Sequence, residues 1–136
     1  MPTGGPEPGG PRRTLVVVDV ANVMGSRPDG WWRDRAGAAA RIRDDLAAAV
    51  AAGRRIGDLD PPVDLVLVVE GRAAGVGPVP GVTVVAAPRS GDDEIVRVVR
   101  ERGAGRPAVV VTADRELRAR VAALGATTHG PRWLLP

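Results

Sequence analysis

The sequence predicts a single α/β domain of three layers, α/β/α, around a central and mainly parallel sheet. Three observations predict it. Leu15–Val18, Leu65–Val69 and Ala108–Val111 are unbroken, β-branched-rich apolar runs of the kind shown by strands buried on both faces. Stretches with helical periodicity separate them, which calls for crossover connections between parallel strands. And 136 residues suffice for one core without a disulfide or metal staple.

The elements follow in order. Residues 1–13 are rich in Pro and Gly without a collagen period, and read as a disordered tail preceding a domain over 14–136. The first strand is Thr14–Asp19, and the loop Asn22–Gly30 carries the turn residues Ser26-Arg27-Pro28-Asp29-Gly30. A helix is expected from Trp31 or Trp32 to Ala52, with Ala39, Ile42, Leu46, Ala49 and Val50 on its apolar face and Gly53 as its stop. Trp31-Trp32 has two readings: packing against the sheet edge, which the usual burial of Trp favours, or stacking on RNA bases. Val63–Val69 is the second strand, ending at Glu70-Gly71, and Val82–Ala86 is a shorter third. Ser90 is a candidate N-cap for a helix opening Asp92-Asp93-Glu94 and closing at Gly103. Ala108–Val111 is the fourth strand. A helix Arg115–Leu124 follows, with Leu117, Val121 and Leu124 on one face. Ala126–Thr128 is a last edge strand, and His129–Pro136, with Trp133, folds back on the body. The first, second and fourth strands, being the most apolar, are expected at the centre.

Composition removes several classes of function. There is no Cys, hence no disulfide framework, thiolate zinc site or cysteine nucleophile. No apolar run approaches a membrane span, and the N-terminal stretch lacks the apolar region of a secretory signal, so a cytoplasmic protein with no membrane partner is expected. All 19 Lys/Arg positions are Arg, within a composition that looks GC-biased, and the formal net charge is only +3. Such a balance is compatible with nucleic acid and weak evidence for it. With three Trp and no Phe or Tyr, a broad base-stacking surface is not expected.

The chemistry lies at the carboxyl ends of the strands, where open parallel sheets bind ligands. The first strand delivers Asp19 and then Asn22, the second Glu70, and the fourth Thr112 and Asp114. Asp92 and Asp93 open a helix at the same edge. Carboxylates gathered together repel and lose solvation, so they call for a cation. Oxygen-only donors point to Mg²⁺ or Mn²⁺, which activates water and stabilises charge on a phosphodiester. Other readings fail. There is no Gly-x-Gly-x-x-Gly after the first strand and no Gly-x-x-x-x-Gly-Lys-Ser/Thr. Ala21 stands where an aspartyl-phosphate enzyme wants a second Asp, and His129 has no nucleophile elbow to serve.

Three motifs, Val18-Asp19-Val20-Ala21-Asn22, Ser90-Gly91-Asp92-Asp93-Glu94-Ile95 and Val111-Thr112-Ala113-Asp114-Arg115-Glu116-Leu117, occur in an order that resembles the NYN domain family of the PIN-like nuclease superfamily. The resemblance covers nearly the whole chain from Thr14. It implies a PIN/NYN-like (Rossmann-like) fold and a metal-dependent endoribonuclease acting on RNA. It implies Asp19, Asp92, Asp93 and Asp114 as metal residues, and Asn22 as the residue orienting a ligand or bound water. Two positions depart from the family pattern: Val20 stands where Gly is common, and Glu70 where many relatives carry Asp or no acid. They motivate the alternative, a non-catalytic NYN-like module binding RNA or a protein.

Blander roles stand beside these. Asp114 and Asp19 fit as caps, Asn22 as a turn residue and Asp92 or Asp93 as a partner of the helix dipole. Glu70 and Thr112 are possible additional site residues. Glu94 and Glu116 read as solvated, and His129 as structural. Arg27, Arg72, Arg89 and Arg115 are candidates for RNA phosphate contacts. A homodimer is compatible with the fold, but no residue specifies one.

Overall fold

A computed structural model of the chain describes residues 13–134; the remainder of the Pro/Gly-rich N-terminal stretch lies outside the described residues. Five strands, β1 (Thr14–Asp19), β2 (Val63–Val69), β3 (Val82–Ala86), β4 (Ala108–Val111) and β5 (Thr127–His129), form one sheet in the order β3-β2-β1-β4-β5. Every pairing is parallel, with Val18 opposite Leu67 on one side and Val111 on the other. The most apolar strands are the central three, as their sequences require.

Side chains alternate across each strand, so the buried strands feed two cores. Val16, Val18, Leu65, Leu67, Val69, Val109 and Val111 face one side, covered by α1 (Val20–Gly25), α2 (Arg35–Ala51) and α5 (Pro131–Leu134). Leu15, Val17, Val66, Val68 and Val110 face the other, covered by Ile95, Val96, Val98 and Val99 of α3 (Gly91–Arg102) and by Leu117 and Val121 of α4 (Arg115–Ala122). This is the expected three-layer arrangement. Each large buried side chain contributes roughly 1.5–3 kcal/mol of transfer free energy.

Local chemistry moves several boundaries from the sequence expectation. The loop placed at Asn22–Gly30 begins later, because Val20–Gly25 is a short helix. The Asp19 side chain starts it by accepting from the Asn22 N–H at 3.2 Å. The single helix expected from Trp31 is two pieces: a 3₁₀ turn, Trp31–Arg33, and then α2. Asp34 divides them, because its carboxylate takes the Gly37 N–H at 2.9 Å and its own backbone is not helical. Trp31 is partly buried against the core, whereas Trp32 stands 58% exposed, so only the first Trp packs. A second 3₁₀ turn, Gly71–Ala73, sits in the expected loop after Glu70. α4 stops at Ala122, leaving Leu124 exposed instead of on the apolar face, and β5 lies one residue later than expected. The C-terminal segment does fold back: Leu134 is buried, and Trp133 stacks on His129 and donates to Asp58 Oδ1 at 3.1 Å. Among the described residues, no helix is long and apolar enough to cross a membrane.

Candidate active site at the carboxyl edge

The chain leaves β1 toward β2 and β3, then returns to the opposite side of β1 to lay down β4 and β5. The reversal falls between β1 and β4. Their carboxyl ends therefore diverge in connection and leave a crevice, the place where parallel sheets take ligands. Asp19 ends β1 there, and Thr112 follows β4.

Both of these residues are buried: Asp19 is 8% exposed and Thr112 fully covered. The Thr112 hydroxyl donates to Asp19 Oδ2 at 2.9 Å, and Thr112 Oγ1 in turn accepts the Asp114 N–H at 3.1 Å. Asp19 Oδ1 takes the Asn22 N–H, while Asn22 Oδ1 reaches across to accept the Ala113 N–H at 2.9 Å. Asp19, Asn22 and Thr112 thus stitch the β1–α1 and β4–α4 loops together. Asp114 caps α4 through the Leu117 N–H at 3.0 Å. Arg118, one turn further on, donates to the Thr112 carbonyl at 2.8 Å. The sequence reading missed Arg118; its only signal was its spacing of four from Asp114.

Glu70 joins from the β2 side. Its Oε2 accepts the Gly91 N–H at 2.6 Å, tying the end of β2 to the start of α3. A Cβ on Gly91 would sit 2.1 Å from that oxygen, so glycine is what lets the carboxylate approach. The three acids opening α3 point in three directions, as steps of about 100° per residue require. Asp92 is half-buried at the crevice side. Asp93 is exposed and pairs with Arg120 of α4 at 3.0 Å. Glu94, expected to be solvated, is buried and pairs with Arg97. Arg120 also went unnoticed in the sequence, because only the packing of α3 on α4 brings it to Asp93.

The electrostatics follow from this crowding. Burial pushes the Asp19 carboxyl up from its ordinary 3.8 to about 6. The Thr112 and Asn22 hydrogen bonds oppose that rise, and the charges of Asp92 and Glu70 add to it. Asp92 is also raised, by its own burial first and then by Asp114 and Glu70, with Arg120 opposing. Asp19, Glu70, Asp92 and Asp114 therefore share one negative field. Among the described residues, no three His, Cys, Asp or Glu side chains close into a ready-made ion cage. The donor chemistry nevertheless fits Mg²⁺, which takes one or two carboxylates directly and keeps several waters. The elevation of Asp19 and Asp92, to which neighbouring carboxylates contribute, is what a cation would relieve.

The candidate phosphate contacts differ among themselves. Arg27 is half-buried and lies 3.7 Å from Asp45, on a cavity of about 530 Å³ shared with Ser26, Pro131 and Arg132. Arg72, Arg89 and Arg115 are exposed. Another cavity, of about 510 Å³, opens at the amino ends of β1 to β3, away from all these residues.

No family model and no curated protein matches the chain. Among solved structures it is similar to the crystal structure of Rae1 (YacP) from Bacillus subtilis, a W164L mutant, with a TM-score of 0.63 at 17% identity, covering 90% of this chain and 72% of that one. The fold is PIN-like. At that identity the likeness concerns the architecture alone: a five-stranded parallel sheet between two helical layers.

Proposed function

We propose that the protein is a metal-dependent endoribonuclease that hydrolyses RNA phosphodiester bonds at the carboxyl edge of its sheet. The observation that carries this reading is Asp19: a carboxylate buried at the reversal point of a PIN-like sheet and raised to about 6 in a field of further acids. A fold seldom keeps such a group without using it, and perturbed carboxylates in a cleft mark functional sites. Asp19, Asp92 and Asp114 would hold a divalent cation, with Asp93 and Glu70 adding to the negative field. When bound, Mg²⁺ or Mn²⁺ supplies an activated water and charge stabilisation on the phosphate oxygens.

The chain's own residues have separate tasks. Thr112 and Asn22 fix the Asp19 carboxylate and the two loops that meet over it. Arg120 holds Asp93 outward and moderates the field at Asp92. Arg72, Arg89 and Arg115 carry no ion pair among the described residues and are free to meet RNA phosphates. Arg27 serves from the cavity it lines.

The absence of a closed carboxylate cage among the described residues favours one competing reading, a non-catalytic module that binds RNA or a protein. Labelled single-stranded RNA incubated with Mn²⁺ or Mg²⁺, beside EDTA and Asp19→Asn controls, separates the two. The nuclease reading expects cleavage that needs metal and disappears in the folded variant. RNA bound but uncut at every metal concentration would establish the module instead.

A further inference from the structure

One aromatic side chain is left in solvent by a fold that buries nearly everything else large and apolar. Trp32 is 58% exposed, and its position is built rather than incidental. Gly30 turns the chain with a left-handed φ of 73°, and the Arg33 N–H closes the turn on the Gly30 carbonyl at 3.0 Å. The Asp34 N–H then bonds to the Trp31 carbonyl at 3.2 Å before Asp34 caps α2. Within this short turn the two indoles divide their roles. Trp31 packs against the core, and the Trp32 ring meets it edge-on, with centroids 6.0 Å apart and planes at 88°. Trp31 is thus a buttress that holds Trp32 outward in one orientation.

The surroundings of Trp32 are cationic. The Arg33 guanidinium lies 5.8 Å from the Trp32 ring centroid, and that of Arg35 lies 5.4 Å from Trp31. Neither arginine forms an ion pair among the described residues, and Asp34, between them in sequence, accepts the Gly37 N–H. The chain direction places the group at the carboxyl edge. β2 runs parallel to β1, so α2 must start at the edge where β1 ends and return to the other. α2 also touches the turn Gly71–Ala73, which carries exposed Arg72 directly after Glu70. A solvent-facing indole with unpaired guanidinium groups, on the same edge as the acidic crevice, matches the chemistry of an unpaired base and its phosphates.

We infer that Trp32, with Arg33 and Arg35, is a stacking platform for an unpaired base of single-stranded RNA led toward the Asp19 crevice. This deepens the nuclease reading and rests on it for the direction of the RNA. The platform selects single strands, because a paired base has no free face to offer. Arg33 and Arg35 take the flanking phosphates and give the binding its salt dependence.

The test measures binding of a labelled single-stranded RNA and of a duplex of equal length in EDTA, where the proposed hydrolysis is silent. The proteins are wild type, Trp32→Ala and Trp32→Phe, each first shown to melt at the wild-type temperature. Trp32→Ala is expected to weaken single-strand binding at least about fivefold, to leave duplex binding unchanged, and to be largely rescued by Trp32→Phe. Intrinsic Trp fluorescence should be quenched by RNA in the wild type and much less in Trp32→Phe. Unchanged single-strand affinity in Trp32→Ala overturns the inference, as does equal weakening on both RNAs. A loss of self-association in place of RNA binding overturns it too, and makes Trp32 a protein contact. Parallel cleavage assays keep the two readings apart. Asp19-dependent cleavage with an indifferent Trp32 removes the platform and leaves the nuclease. Trp32-dependent binding without cleavage removes the nuclease and leaves the platform.

Discussion

Replacing Asp19 by Asn should stabilise the metal-free domain at neutral pH and not in acid. In the fold the Asp19 carboxyl titrates at about 6 against an ordinary 3.8. Its native state therefore holds a proton that the unfolded chain has released between those values. The stability this group contributes is complete below about 3.8 and is lost as the pH rises through about 6. At 1.36 kcal/mol per pH unit, the loss by pH 7.5 is about 3 kcal/mol. Asn removes the ionisation and remains a good N-cap toward the Asn22 N–H. It presents an amide to the Thr112 hydroxyl in place of one acceptor, an exchange costing about 1 kcal/mol. The variant should then be about 0.5 kcal/mol less stable than wild type at pH 4 and about 2 kcal/mol more stable at pH 7.5. The latter corresponds to a melting temperature roughly 6–10 °C higher. Thermal unfolding of both proteins in EDTA at pH 4, 5, 6 and 7.5 gives the difference curve. A difference that stays constant across pH would refute the claim that Asp19 is held against its ionisation.

The same charge should govern the proposed activity. At limiting metal, RNA cleavage should fall as the pH drops through about 6, where the proton competes with the cation for Asp19, and the acid limb should move to lower pH as Mn²⁺ is raised. Thr112→Val removes a hydrogen bond that lowers the Asp19 pKa and leaves the Asp114 N–H without its acceptor. It should move that acid limb to higher pH and cost about 1–3 kcal/mol in urea unfolding; an unmoved limb would deny Thr112 any hold on Asp19. Ile95→Ala, in the fully buried face of α3, should cost about 2–5 kcal/mol. A loss under 1 kcal/mol would mean that α3 does not anchor the second core as described.

The sequence made β1 to β4 legible because long β-branched runs leave few alternatives, and it gave their order of burial correctly. It was weaker wherever one side chain decides a boundary. Asp34 looks like any helical surface acid, yet its side chain ends one segment and starts another. Asp19 was legible as an acid at a strand's carboxyl end, but not as the cap that starts a helix over Val20–Gly25. The run Asp92-Asp93-Glu94 was legible as acidic and helical, but the direction of each acid depends on how α3 rolls against the sheet. That roll buries Glu94 with Arg97 and sends Asp93 to Arg120. Trp31 and Trp32 divide in the same way: neighbours in sequence, they point to opposite environments. Such assignments are tertiary, and no local pattern encodes them.

The most direct test of the central claim, that the acids of the carboxyl edge hold a divalent cation, is an anomalous difference map from crystals grown with Mn²⁺. A peak in the crevice between β1 and β4, within coordinating distance of the Asp19 carboxylate, is the result predicted. A map in which Mn²⁺ binds elsewhere or not at all, with Asp19 still engaged only by Thr112 and Asn22, would contradict it.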